Sequence, residues 1–220
     1  MTVLAVTGLS KEAGIVGVAG VIAVAGGGDG DGLAAKLAAL HGDISGVISI
    51  GLAGALSPHL KVGDVVIAEK IITGAESWDC HAGWRNRLMS RLPTAHQGQL
   101  FGSDVIIDKA DTKSGLHAAT GALAVDMESQ IAARFAASRN LPLAGLRIIS
   151  DDATHVLPPA ALVAMKPDGG IAIGRVLGSL LRKPTQVPAL IRTARASNQA
   201  FAELLRCLDL CGVGIAGLDL

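Results

Sequence analysis

Residues Leu143–Asp151 read LAGLRIISD, a run rich in Leu and Ile that stops at Ser150-Asp151. A continuous run of this kind, not an alternating one, marks a strand buried on both faces. Working outward, the pattern recurs at Thr2–Thr7 (stopping at Gly8), Val21–Ala25 (stopping at Gly26-Gly27-Gly28) and Gly46–Ile50 (stopping at Gly51). Further short strands are expected at Val65–Ala68, Val105–Ile107 and Ala122–Val125. Between them, Leu33–His41 and Glu128–Asn140 have helical spacing, the second ended by Asn140-Leu141-Pro142. After Ser150 the pattern turns helical, with Ile171–Arg182 and Val187–Leu208 the longest candidates. Alternating strands and helices with apolar strands predict an α/β layered domain with a largely parallel sheet. Ligands in such folds bind beyond the carboxyl ends of the strands, here Gly8, Gly26–Gly28, Gly51–Gly54 and Ser150-Asp151. No repeat or linker divides the 220 residues, so a single domain over 1–220 is expected.

Composition removes several classes of function. Nineteen basic residues balance nineteen acidic ones, and aromatics make up only 2% of the chain. A nucleic-acid binder needs a basic footprint or stacking platforms, and neither is provided for. Hydrophobic residues reach 50%, yet the uncharged stretch Ala13–Gly28 holds six glycines and falls short of the roughly 20 residues that span a bilayer. A cytoplasmic protein is expected, apolar enough to touch a membrane peripherally. Cys80, Cys207 and Cys211 are too few for a disulfide framework or a closed zinc site and read as buried thiols. Histidines 41, 59, 81, 96, 117 and 155 lack metal-ligand spacing, and no metal is expected.

The Gly-rich run Gly26–Gly32, GGGDGDG, lacks the Lys-Ser/Thr of a phosphate loop and the spacing of a dinucleotide turn. It reads as a strand-to-helix turn, either a plain one or one whose N–H groups hold an anion. Two longer segments carry more. One is Ile48–Ile71, ISIGLAGALSPHLKVGDVVIAEKI; the other is Ala124–Ala153, AVDMESQIAARFAASRNLPLAGLRIISDDA. Together they resemble the nucleoside phosphorylase and nucleosidase superfamily. That family joins a G-x-A-G-x-L turn to L-K-V-G-D, opens a helix with V-E/D-M-E-S/A and ends a later strand on S-D. The segment Leu157–Arg192 is similar to the hopanoid-associated phosphorylases, a bacterial branch.

The resemblance implies a layered α/β/α domain with a mixed, largely parallel central sheet, and a homo-oligomer. It also implies release of adenine from a 5′-modified adenosine such as adenosylhopane by ribosyl transfer to phosphate. Phosphate is then the co-substrate and no other cofactor is expected. The alternatives are a nucleosidase using water on the same site and a non-catalytic nucleoside-binding protein.

Breaking the N-glycosidic bond leaves positive charge on the ribose and negative charge on the purine, which departs readily only when a ring nitrogen is protonated. A carboxylic acid that holds a proton near neutral pH is required. Asp151, just past an apolar strand and beside Asp152, is the candidate, against the plainer reading of a helix cap. Glu128, at a helix start, suits acceptance from the 2′- and 3′-hydroxyls, and Met127 suits packing under the sugar or in the core. Gly54, Ala53 and Ile106 fall at the expected base site. By resemblance, phosphate is expected on the N–H groups of Gly8 and Gly27 with Ser10 or Lys11 nearby, or with Arg85 or Arg87 from elsewhere. Related hydrolases carry a water-activating Glu in the first loop. Aligned without a gap that position is Ala13, which favours phosphate, whereas a one-residue slip makes it Glu12. Leu157 and Leu162, in the uncharged stretch Val156–Met165, are expected to line an apolar mouth for a hydrocarbon-bearing 5′ group, or to form an ordinary buried helix start.

Overall fold

A computed structural model describes residues 2–162, 170 and 172–217, with only the backbone of Leu162. Val163, Met165 and the first residue expected in the later helix, Ile171, lie outside the described residues, as does the side chain of Leu162. The strands are β1 Thr2–Thr7, β2 Val21–Ala25, β3 Ile44–Ala55, β4 Val65–Ile72, β5 Ser77–Asp79, β6 His96–Gly102, β7 Ala124–Asp126 and β8 Leu143–Asp151. The helices are α1 Ser10–Val16, α2 Gly30–Ala38, α3 Ala82–Arg91, α4 Ala110–Thr120, α5 Ser129–Ser138, α6 Pro159–Leu162, α7 Ile173–Arg182 and α8 Val187–Cys211.

The strands form one mixed sheet. β1 pairs in parallel with β2 and β3, β3 with β8, β4 with β6, and β6 with β7. The antiparallel pairs are β3–β7, β4–β5 and β4–β8. Strands β3, β8, β4, β6 and β7 therefore pair in a closed circuit. The length of β3 makes this possible: its body lies along β8 while its last residues, Gly54 and Ala55, bend onto β7.

Both faces of the sheet are covered, which explains the unbroken apolar runs. In β1, Leu4 and Val6 pack with Leu33 and Leu37 of α2 and with Ile131 and Phe135 of α5. Val3 and Ala5 point the other way, into a core with Trp84 and Leu88 of α3 and Phe201 and Leu204 of α8. Alternate side chains enter opposite cores, as the pleat requires. The result is the three-layer α/β/α arrangement.

Two local expectations change, and one left open between a plain turn and an anion site resolves to the plain turn. Residues Val105–Ile107 are not a strand. The Ser103 hydroxyl donates to the Val105 carbonyl at 2.7 Å and accepts from its N–H at 3.2 Å, closing a turn where the chain leaves β6. The Gly-rich run is a plain turn into α2, whose N-terminal Gly32 N–H is taken by the Asp29 carboxylate at 2.9 Å. The residues after Gly8 are not an open loop but helix α1.

Candidate active site

The strand ends set the site. Register places Gly54 of β3 opposite both Val125 of β7 and Asp151 of β8. One step beyond Val125 the chain reads Asp126-Met127-Glu128 and enters α5. Two glycines on β3 keep the floor open. A β-carbon on Gly54 would lie 3.0 Å from the Asp151 carboxylate, and one on Gly51 would lie 2.8 Å from that of Glu12. Gly51 also has φ +150°, which disfavours side-chain-bearing residues. The strand expected to stop at Gly51 thus runs on to Ala55, and its G-x-A-G stretch is a pair of seats for two acids.

Glu12 reaches its seat because α1 is a helix. It occupies the third helical position, from which a glutamate folds back over the helix start. Its carboxylate accepts from the N–H groups of Gly8 at 2.8 Å, Leu9 at 2.7 Å and Leu52 at 2.9 Å. Ala13, one residue on, has no group to offer there. Glu12 is buried, and burial raises its carboxyl pKa above the usual 4.5, against the opposing pull of these N–H groups and of Arg147.

Glu128 sits across from it. A β-carbon on Gly8 would lie 3.2 Å from its carboxylate, and one on Gly26 would lie 3.2 Å from its γ-carbon. Burial, together with the charges of Asp126 and Glu12, pushes its carboxyl up to about 8, with Arg147 pulling the other way. Arg147, fully buried on β8, anchors the acidic group from below. It donates to Asp126 at 2.9 Å and to the Ser49 hydroxyl at 2.5 Å, and its guanidinium lies 3.9 Å from Glu128. Asp126 in turn accepts from the N–H groups of Glu128 at 2.9 Å and Ser129 at 2.7 Å, which ties it to the start of α5.

Asp151 closes the third side. Its neighbour in space is not Asp152, whose carboxylate turns away to accept from the N–H and hydroxyl of Thr154. It is Lys113 of α4, which has no exposed side-chain area and forms a salt bridge with Asp151 Oδ2. The remaining ammonium hydrogens point to the carbonyls of Asp152 at 3.0 Å and His155 at 3.4 Å. Ser150 Oγ donates to Asp151 Oδ1 at 3.0 Å and shares the Ala53 carbonyl at 3.3 Å. A cation with a transferable proton is thus fixed against the carboxylate.

A cavity of about 90 Å³ opens beside Asp151, lined by Gly54, Ile106, Val125, Asp126, Met127, Asp151 and Leu157 among others. It brings together most of the residues expected at the base and 5′ sides; Ala53 lies beneath it, nearly buried. The residues expected to hold phosphate are not gathered around it. The Gly8 N–H is taken by Glu12, and the Gly27 N–H donates to the Gly8 carbonyl at 2.7 Å. Ser10 stands on the exposed first turn of α1, and the Lys11 ammonium lies 3.9 Å above the Phe201 ring on α8. A larger cleft of about 520 Å³ lies between α2 and α5, lined by Ala34, Leu37, Ile131, Arg134, Phe135 and Arg139 among others, away from the acids. Lys113 and Arg147 escaped the sequence reading. Arg147 carried a signal, a charge inside a doubly buried strand, which requires partners. Lys113 sits in a weakly patterned helix and carried none.

The chain belongs to the phosphorylase superfamily, whose family model matches residues 12–177. No curated protein sequence matches the chain. Among solved structures, a 5′-methylthioadenosine/S-adenosylhomocysteine nucleosidase from Streptococcus pneumoniae with a transition-state inhibitor is 21% identical. The match covers 95% of this chain and 100% of that one, with a TM-score of 0.61. An S-adenosylhomocysteine nucleosidase from Streptococcus pyogenes is 18% identical over 94% of this chain and 97% of that one, with a TM-score of 0.64. An adenine-bound nucleosidase of the same type from Colwellia psychrerythraea is 18% identical over 94% and 96%, also at 0.64. At these identities the likeness establishes the shared fold.

Proposed function

We propose that the protein cleaves the N-glycosidic bond of an adenosine derivative bearing an apolar 5′ group, with water as the nucleophile. The observation that carries the choice of water is the position of Glu12. Its carboxylate fills the convergence of the Gly8, Leu9 and Leu52 N–H groups, where a phosphorylase would need an anion to bind. A second anion there would meet both Glu12 and Glu128. A buried carboxylate with a raised pKa is instead a good base for a water proton.

In the proposed reaction the C1′–N9 bond breaks as a water oxygen bonds to C1′. The water gives one proton to Glu12. Glu128 bonds the ribose hydroxyls and, in its ionised form, stabilises the positive charge that develops on the sugar. The proton on a ring nitrogen of the leaving purine comes from Lys113 by way of the Asp151 carboxyl, and the resulting neutral amine regains a proton from bulk water between turnovers. Met127 packs under the sugar. Apolar Leu157 supports a non-polar 5′ group, as does the resemblance of Leu157–Arg192 to the hopanoid-associated branch, whose substrate is adenosylhopane. Membership of the superfamily supports a homo-oligomer acting in the cytoplasm.

The test is adenine release from a 5′-alkyl adenosine. Asp151→Asn should lower kcat by about 10²–10⁴-fold, the usual cost of losing a general acid. Activity within about threefold of wild type would remove Asp151 from the mechanism.

A further inference from the structure

The helix α7 presents its apolar side outward. Ile173, Leu177 and Leu181 are 67%, 55% and 84% exposed, and half-buried Val176 and Leu180 complete the same stripe. A helix on a globular protein does the reverse. The outward orientation is held from the polar side. Gln186, 5% exposed, donates to the Ser179 carbonyl at 2.8 Å and its hydroxyl at 3.0 Å, and accepts from the Ala160 N–H at 2.9 Å. The next apolar exposures, Val187 and Ile191, begin α8.

The charge around this stripe has one sign. Between Asp168 and Glu203 the chain has no acidic residue, but it carries Arg175, Arg182, Lys183, Arg192 and Arg195, all exposed. This stands out in a chain whose total charge is zero. Arg175, Arg182 and Lys183 line the groove on the other side of α7, and an apolar stripe on a segment whose charges are all cationic matches the interface of an anionic bilayer, where hydrocarbon lies below and phosphate beside. A second copy of the chain fits poorly. A two-fold contact through this face would set the cationic segment against itself.

We propose that α7 docks the protein on anionic lipid surfaces, with Ile173, Leu177 and Leu181 inserted and the cations at the headgroups. No described helix is long and apolar enough to cross a membrane, so the contact is interfacial. The segment reaches α7 from Leu157, at the cavity that holds Asp151, by way of α6, which packs on α7. Docking therefore brings the cavity mouth near the lipid.

The proposal is independent of the nucleophile, and its test is binding. Full-length protein is sedimented with vesicles of phosphatidylcholine, with and without phosphatidylglycerol. Binding is expected only with phosphatidylglycerol and should weaken as salt rises. Leu177→Glu with Leu181→Glu should weaken it by about tenfold or more, and Arg182→Gln with Lys183→Gln should also reduce it. Both variants should keep wild-type circular dichroism and wild-type turnover of a soluble adenosine derivative. Three results would overturn the proposal: equal binding to uncharged vesicles, no loss in the glutamate variant, or no vesicle binding while that variant turns an oligomer into a monomer.

Discussion

Glu128 and Lys113 show how a residue's surroundings set its chemistry. The Glu128 carboxyl, pushed up from 4.5 to about 8 chiefly by burial, holds its proton more tightly in the folded chain than in the unfolded one. The stability this gives is fully present below pH 4.5 and is lost as pH rises to about 8. Glu128→Gln mimics the protonated acid. It should flatten the Tm-against-pH curve across this window and raise Tm above pH 8 by about 2–8 °C, for ~1–2 kcal/mol in a chain of this size. Its kcat/KM should fall by about 10²-fold above pH 8, where the wild-type carboxyl is ionised and its charge is lost on substitution. Parallel Tm curves for the two proteins would show that Glu128 is not held in a proton-retaining site. Lys113→Met fills the same buried space without the charge. It should lower kcat by about 10–10²-fold while KM moves less than about threefold, because Lys113 touches Asp151 and not the substrate. A change confined to KM would make Lys113 a packing residue.

At the scale of elements, the site depends on strand ends that tolerate no side chain. Gly54→Ala places a β-carbon 3.0 Å from Asp151 Oδ2, so the carboxylate must move from Lys113 or from the purine side. Activity should drop by about tenfold or more, a modest misplacement being enough, while thermal unfolding shows the fold intact. Wild-type activity in Gly54→Ala would mean that Asp151 needs no such seat. Sequence made the strands legible where both faces are covered, because an unbroken apolar run then has few other readings. It failed at Val105–Ile107, where β-branched residues follow a serine whose hydroxyl folds the chain into a turn. It also left α1 unseen, and with it the choice between Ala13 and Glu12. Counting along an extended loop favours one residue; a helix start selects the other, since a glutamate at the third position folds back onto the preceding N–H groups. The strand ends Gly8, Gly54 and Asp151 were readable because sheet topology confines ligands there. Lys113 was not, because its approach depends on how α4 packs beneath the loop after β8, a long-range contact with no local pattern.

For the whole molecule, the closed circuit of β3, β8, β4, β6 and β7 joins acids from distant parts of the chain. Glu12 comes from the first helix, Glu128 from the middle and Asp151 from the last strand, and buried Arg147 balances the first two from beneath. Replacing any one acid alters the field on the others. In the proposed reaction a neutral water meets no repulsion at Glu12, whereas an incoming phosphate meets the negative charge of the acids. The measurement that tests this most directly is adenine release from a 5′-alkyl adenosine in phosphate-free buffer and again with phosphate added, with the sugar product identified. The account predicts equal rates and a free reducing sugar in both. Release that depends on phosphate and yields the sugar 1-phosphate would contradict it.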